Sequence, residues 1–555
     1  MFDFRTLRRD YEHARQAFKL EIPEFFNFAF DVIDRWAEER DRTAIIAVNR
    51  TGERVERISY STLREQSNRF YNAVRQLVHP GAYVCSIIGR IPAWHIVTIG
   101  CMKAGLVSMP GTNLLTAKDI AYRIKYSSAE AAIVTLEHCE KIDAIRADCP
   151  TLKTFIVVDG RRDGWLSLDD LLADASPSLV SSGRPTRSDE AMMAYFTSGT
   201  TSLPKLVVRD HAYALAHAAT GLFWMDLRED DIHWSITDTG WAKAAWGMLF
   251  PQLLLGTPSV LFDGVGQFDA DLHLKIIRKL SVSTFCAPPT AYRLFAQLDL
   301  SRYDLSSLRR CLSAGEPLNP EVVRYWKVHT DTTIADGYGQ TETINIVANF
   351  PGVPVRPGSM GKPVPGFDID VIDDAGQRQP ADVVGHIGVR ITSPYPNGLF
   401  RGYSVPEGLD QSAFRNGWYF TGDMATRDKD GYIWFVGRAD DLISSAGYRI
   451  SPFEVESALL EHEAVAESAV IGKEDPVRGQ IVKAFIILAR DFAPSESLLK
   501  DIQEFCKAQT APYKYPREIE FVESLPKTVS GKIRRVELRQ RNEVIAGPDG
   551  ASAAT

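Results

Sequence analysis

The chain has 555 residues, more than one hydrophobic core usually holds, so at least two domains are expected. With 45% apolar and 24% charged residues it has the composition of a globular protein, and a formal net charge of −8 argues against a broad nucleic-acid footprint, which needs a basic excess. Seven cysteines, at 85, 101, 139, 149, 286, 311 and 506, include no CxxC pair; neither a zinc site nor a disulfide framework is signalled, and a reducing compartment is expected.

The first residues, "MFDFRTLRRDYEHARQAF", mix Asp3, Asp10 and Glu12 with arginines, unlike a signal or transit peptide. No segment has the length and apolarity of a membrane span, so the cytoplasm is the expected location. The Phe-rich stretch "IPEFFNFAFDVIDRWAEE" reads as a helix packed on a core. From about 45 to 290, apolar runs at 44–48, 83–89, 131–136, 154–160 and 258–262 alternate with helical patterns such as 61–78. That alternation predicts a layered α/β architecture with parallel sheet.

Within it lies "YFTSGTTSLPK" (195–205), where hydroxyls and a lysine crowd one loop after an apolar run. Such a loop suits a polyanion, although it lacks the GxxxxGK[ST] spacing of a P-loop. On composition alone a solvated Ser/Thr/Gly connection is the first reading. "DGYGQTE" (336–342) offers a tight glycine turn, an aromatic face and a carboxylate; a carboxylate near phosphates implies Mg²⁺. From about 350, short Pro/Gly-punctuated strands suggest a small barrel or meander, within which "YFTGD" (419–423) ends in an Asp after a strand. That Asp is either a turn cap or an acceptor for ribose hydroxyls.

The texture changes again at "GRADDLISSAGYRI" (437–450), after which helices and strands form an α+β unit of about a hundred residues. "LPKTVSGKIRR" (525–535) sets Lys532 on a basic turn, and the small polar "GPDGASAAT" reads as a disordered tail. The expected division is 1–436, a hinge at 437–442, a mobile domain at 443–545 and a tail at 546–555.

In this order, the 197–205 loop, "YGQTE", "YFTGD", "GRADDLISSAGYRI" and "PKTVSGK" resemble the core motifs of the adenylate-forming superfamily, which includes acyl-CoA synthetases, nonribosomal adenylation domains and firefly luciferase. The resemblance covers nearly the whole chain. "DTGWAKAAWG" (238–247), "APPTAYR" (287–293), "DPVRGQIVKAF" (475–485) and "APYKYPREIEFV" (511–522) are similar to its medium-chain acyl-CoA synthetase branch.

The resemblance implies that Thr197, Ser198, Gly199, Thr200, Thr201 and Lys205 contact the β- and γ-phosphates of ATP. Ser202 stands where the family usually has Gly, which puts loop closure in question if that position needs a positive φ. Gly315, Glu316 and Pro317, with Asp336, Gly337, Tyr338, Gly339, Gln340 and Thr341, would frame the adenine and α-phosphate. Glu342 would help hold Mg²⁺, Asp423 and Arg438 the ribose hydroxyls, and Lys532 would bridge the substrate carboxylate and the α-phosphate. Asp440 matches the family's hinge position. Ala446, Gly447, Tyr448, Arg449, Arg478, Tyr515, Pro516 and Arg517 match its coenzyme A contacts, whereas a further contact, Gln in related sequences, falls on Leu114 and is not carried over.

Dedicated acetyl-CoA synthetases place a Trp where this chain has Gly339, so an acid longer than acetate is expected to fit. Trp241 and Trp246 would wall and shorten the tunnel, which favours medium-chain or short branched acids; Lys243 between them is expected to run its ammonium out to water. The implied activity is AMP-forming synthesis of acyl-CoA from a fatty acid, ATP and coenzyme A, with Mg²⁺. The alternatives are an aryl or short-chain acid–CoA ligase, transfer of the acyl-adenylate to another thiol acceptor such as a carrier protein, and a non-catalytic nucleotide or acyl-adenylate sensor. The "PKTVSGK" stretch further resembles a site of lysine acetylation, which makes a lysine acetyltransferase and deacetylase expected partners at Lys532, and a homodimer is an assembly open to the chain.

Overall fold

The computed structural model describes residues 10–180, 185–197, 204–264, 266, 268–316, 318, 320–446, 448–527 and 533–545. Ser198, Gly199, Thr200, Thr201, Ser202, Pro317, Gly447, Lys532 and the tail 546–555 lie outside the described residues, as does the side chain of Arg449.

The apolar runs read from the sequence are strands, but they belong to two different nine-stranded sheets. One contains Thr43–Val48 and Ser259–Phe262, and continues through His233–Ser235, Thr284–Cys286, Arg310–Ala314 and Ile334–Gly339 to the edge strand Lys362–Pro363. The other contains Tyr83–Ile87, Ala131–Val134 and Thr154–Val157, and runs through Val107–Pro110 to the antiparallel strands Ala191–Phe196 and Leu206–Asp210. Parallel strands covered on both faces must be apolar throughout, and Ala131–Val134, Ser259–Phe262 and Thr284–Cys286 are buried at every residue. The helix His211–Phe223 is apolar all round and buried at every position except Ala212, as expected of a helix with no solvent face. The Phe-rich N-terminal stretch forms a π-helical turn, Ala29–Asp34, that runs into the helix Arg35–Glu39; Phe28, Val32, Ile33 and Trp36 enter the core.

The contact pattern separates the chain into two compact units. The first comprises Met1–Thr197, Lys205–Asp368 and Ile391–Gln411 and holds both large sheets. The second includes Ile369–Arg390 and Ser412–Thr555. It holds two five-stranded sheets. In one, the long strand Trp418–Arg427 pairs antiparallel with Gly385–Arg390 and Ile433–Arg438. In the other, Val465–Asp475 and Gly479–Leu488 form a long hairpin, over which the helices Pro452–Leu460 and Glu496–Gln509 close a core of Val455, Leu459, Val470, Val482 and Ile502.

Candidate active site

In the first unit, three loops leave the carboxyl ends of parallel strands of one sheet, the usual place for a ligand in an open α/β sheet. His233–Ser235 leads to Asp238–Gly247, Arg310–Ala314 to Gly315, and Ile334–Gly339 to Gln340–Glu342. Gly315 has φ +101°, a conformation that favours glycine, and Glu316 accepts from the Thr290 hydroxyl at 3.3 Å.

The "DGYG" residues are not a turn: Asp336 to Gly339 complete a strand, and the turn follows, where Gln340 N–H donates to Thr343 Oγ1 at 2.9 Å with Thr341 half-buried inside it. Both glycines are demanded by close approach. A Cβ on Gly337 would meet the Trp224 indole at 2.5 Å, and one on Gly339 the Ile344 carbonyl oxygen at 2.4 Å. Gly339 therefore has a backbone reason to be glycine independent of any acyl tunnel. Tyr338 is half-buried, opposite Val347. Asp336 is buried with the Gly337 N–H as donor at 2.9 Å; burial pushes its carboxyl up to about 8.

Glu342 is buried and fixed from the second large sheet. Tyr403 donates its hydroxyl to Glu342 Oε1 at 2.7 Å, while Phe400 N–H and Arg209 Nη1 reach the Glu342 carbonyl at 2.8 and 3.1 Å. Arg209 is itself buried, 3.9 Å from the Tyr213 ring centre. The hydroxyl-rich loop is the connection of the antiparallel strands Ala191–Phe196 and Leu206–Asp210, and its ends are tied: Thr197 N–H donates to Lys205 O at 2.9 Å and Lys205 N–H to Thr197 Oγ1 at 3.3 Å. The Lys205 ammonium lies 4.4 Å from the Tyr403 ring centre and 3.4 Å from Asp410. One tyrosine thus touches both Lys205 and Glu342. The sequence singled out neither Tyr403 nor Arg209; the available signals were an aromatic following "RG" and an arginine inside a buried strand.

Gly240 packs against the Gly111–Thr112 backbone, where a Cβ would come within 2.0 Å of Thr112 N. This anchors the start of "WAKAAWG". Trp241 is half-buried at the N-cap of the helix Ala242–Gly247. Trp246 packs edge-on against Trp224 at 5.1 Å, next to Gly337. Lys243 does not run out to water: it is half-buried, with its ammonium 3.4 Å from the Ala314 carbonyl and 5.4 Å from the Trp246 ring centre. A neighbouring cavity of about 410 Å³, walled by Trp234, Ile236, Phe262, Phe268, Leu272 and Arg90, includes none of the residues expected from the sequence. Leu114 is exposed.

In the second unit, Asp423 sits within the strand Trp418–Arg427 rather than after it, buried and directly opposite Arg438 in the adjoining strand, with Arg438 Nη1 3.5 Å from its carboxylate. Arg438 Nε also lies 3.6 Å from Asp440. Of the coenzyme A candidates, Ala446 and Arg478 meet: Ala446, in the left-handed region at φ +48°, donates its N–H to Arg478 O at 2.8 Å. Tyr448 is exposed and stacked on Tyr513 with ring centres 4.2 Å apart. Arg517 Nη1 reaches the Tyr515 hydroxyl at 3.2 Å, and Pro516 O accepts from Gln503. Tyr513 was not singled out; its signal is an aromatic two residues before Tyr515.

Among the described residues no three His, Cys, Asp or Glu side chains converge on a metal position. A single oxygen-donor carboxylate, Glu342, oriented by a hydroxyl, fits Mg²⁺ held mainly through substrate phosphates.

The fold is α/β with polar loops gathered at the strand ends, and the comparisons with known proteins make it a nucleotide-using enzyme. The chain matches the AMP-binding enzyme family over residues 33–404 and the AMP-binding enzyme C-terminal domain over 454–532, and it belongs to that family. It is 42% identical over 558 residues to the acyl-coenzyme A synthetase ACSM3, mitochondrial, of Mus musculus, covering 98% of this chain and 96% of that one. It is 44% identical to ACSM4, mitochondrial, of Rattus norvegicus over 94% of this chain and 91% of the relative. Among solved structures, the anthranilate CoA ligase AuaEII in complex with anthranoyl-AMP superposes with a TM-score of 0.85 at 32% identity, over 95% of this chain and 99% of that one. The protein is an AMP-forming acyl-CoA synthetase, using ATP, Mg²⁺ and coenzyme A. Among the described residues, no helix is long and apolar enough to cross a membrane.

Proposed function

We propose that the acid activated is a medium-chain or short branched fatty acid. The observation that carries this reading is the wall made by Trp246 on Trp224, which itself lies against Gly337 of the strand Ile334–Gly339. An indole there limits depth, while glycine at 339 leaves no side chain to stop the acid at acetate. The half-buried Lys243 ammonium beside Trp246 supports a second reading, an acid with a polar or aryl substituent such as the anthranoyl group in the AuaEII complex.

A carboxylate is a poor acyl donor because its leaving group would be oxide. In the first step it attacks the α-phosphorus of ATP and pyrophosphate leaves, so anionic reactants must be neutralised. In this reading Lys532 bridges the carboxylate and the α-phosphate. Glu342 is the carboxylate that would hold Mg²⁺, which when bound shields the phosphate charge. Lys205 and the 197–205 loop take the outer phosphates, and Asp423 with Arg438 the ribose diol. In the second step the coenzyme A thiol attacks the acyl carbon and AMP leaves with its bonding pair. Ala446, Tyr448, Arg478 and Arg517 contribute to holding the coenzyme, an arginine fork suiting its phosphates.

The division read from the sequence sets a pivot at Asp440 between a body ending near 436 and one spanning 443–545; separate five-stranded sheets lie on either side of that point, although the compact units divide the chain near 368 and 411 and keep both sheets together. A reducing compartment, with the cytoplasm its default, draws support from seven free, buried cysteines. Control by acetylation of Lys532 and assembly as a homodimer belong to the same reading. The assignment is tested by CoA-dependent AMP release across straight and branched acids; a preference for benzoate or anthranilate over every fatty acid overturns it.

A further inference from the structure

Asp440 and Asp441 are adjacent, yet their carboxylates engage different elements. Asp440 lies 3.6 Å from Arg438, which also pairs with Asp423, so it belongs electrostatically to the strand pair 418–427 and 433–438. Asp441 faces the helix Arg535–Ile545, ion-paired with Arg539 and 3.5 Å from Arg535 Nη1.

Arg535 continues the network inward. Its Nη2 contacts both oxygens of Glu456, at 2.7 and 2.8 Å, and its Nε donates to Val470 O at 3.2 Å. Glu456 is buried in the helix Pro452–Leu460 and also accepts from Val470 N–H at 2.7 Å. The two sides differ in wetness: the side chains of Asp440 and Arg438 are each 42% exposed, those of Asp441 and Glu456 only 11% and 9%. Exposed ion pairs are worth little and exchange readily with water, whereas removing one partner from a buried pair strands the other charge.

The same body holds the residues flanking 528–532. Lys527 and Ile533 form an antiparallel bridge, Arg534 N–H donates to Pro526 O at 2.9 Å, and Ile533 packs on the cluster of Ile471, Phe485, Leu525 and Leu538.

We propose that Asp441 is a positioning residue: clamped by Arg535 and Arg539, it fixes the C-terminal end of the hinge to the body that carries Lys532, so that turning is confined to Arg438–Asp440. This rests on the proposed roles of Lys532 and Asp440. The same body carries the proposed coenzyme contacts, but these are spread over several residues, whereas adenylation in this reading depends on one ammonium reaching the reacting phosphorus, so loosening the clamp falls mainly on the first half-reaction.

The test compares wild type with Asp441→Asn, Asp441→Glu, Arg539→Gln and Lys532→Ala in the full chain. Adenylation is read as acid-dependent ATP–pyrophosphate exchange without coenzyme A, thioester formation from synthetic acyl-AMP and coenzyme A. Misplacing a reacting group by about 1 Å costs up to roughly a hundredfold, so Asp441→Asn is expected to lower the exchange kcat about ten- to a hundredfold with little change in KM for ATP. Thioester formation stays within about twofold, and Asp441→Glu recovers most of the exchange because the carboxylate returns to the two arginines. Unchanged exchange in Asp441→Asn, or an equal fall in both half-reactions, overturns the clamp. If that variant does not fold, Arg539→Gln decides by the same two rates. Exchange that survives Lys532→Ala sinks the lysine assignment instead, an outcome distinguishable from failure of the clamp.

Discussion

The Tyr403 hydroxyl donates to the Glu342 carboxylate at 2.7 Å, and the same ring lies 4.4 Å from the Lys205 ammonium. Tyr403 lies in a strand of the second large sheet and Glu342 in the turn after Ile334–Gly339 of the first, so this contact joins the hairpin end at Lys205 to the end of the "DGYGQTE" segment. A hydrogen bond to a charged group is worth about 1.5–3 kcal/mol, enough to fix a carboxylate that would otherwise sample rotamers.

Tyr403→Phe keeps the ring near Lys205 and removes only the hydroxyl. The Mg²⁺ concentration needed for half-maximal ATP–pyrophosphate exchange should rise about tenfold, with saturating rates recovering much of the loss. Tyr403→Ala also removes the ring beside Lys205 and should raise KM for ATP. Identical Mg²⁺ dependence in Tyr403→Phe and wild type contradicts the positioning role.

Asp336 gives a pH signature. Burial raises its carboxyl to about 8, above the value near 4 expected unfolded, so the folded chain holds a proton that the unfolded chain releases first. The stability it contributes is complete below about pH 4, is lost progressively as pH rises toward 8, and changes no further above that. Asp336→Asn keeps the shape without the titration. Urea midpoints measured between pH 5 and 8.5 should fall less steeply in the Asn protein than in wild type; parallel curves would exclude a raised Asp336.

Trp246→Ala removes the indole resting on Trp224 and should move the chain-length optimum upward by several carbons, measured as kcat/KM over a series of straight acids. The stability cost should stay below the ~3–5 kcal/mol of a fully buried Trp→Ala change, since Trp246 is half-buried. Gly339 is the poorer probe of acyl length, because any side chain there meets the Ile344 carbonyl first.

The exposed Tyr448–Tyr513 stack predicts an effect on coenzyme A. Tyr448→Ala should raise KM for coenzyme A about three- to tenfold, as expected for loss of one stacking face, while CoA-independent exchange stays at the wild-type rate. A change in exchange with an unaltered coenzyme A KM would remove this surface from the coenzyme site.

Much of this was legible in the sequence where local patterns carry the information. Buried parallel strands announce themselves as apolar runs, and the five polar motifs appear in family order. That 44–48 and 83–89 lie in different sheets was not legible, because strand order depends on which β-branched runs meet in space. Asp423 reads like a turn residue yet is buried mid-strand opposite Arg438; only the antiparallel register reveals that pairing. Lys243 looked free to reach water, but its helix turns it toward the Ala314 carbonyl. Tyr403 and Asp441 act through partners about 60 and 100 residues away, distances that no local pattern spans.

The most direct measurement is AMP release with ATP, Mg²⁺ and coenzyme A across straight acids from acetate to laurate, with isobutyrate, 2-methylbutyrate and benzoate, run beside Lys532→Ala. The account predicts a CoA-dependent maximum at intermediate or branched acids that falls at least a hundredfold in the variant, the scale of a lost charge at a phosphoryl-transfer centre. Acid-dependent AMP release that needs no coenzyme A, or that persists in Lys532→Ala, would contradict it.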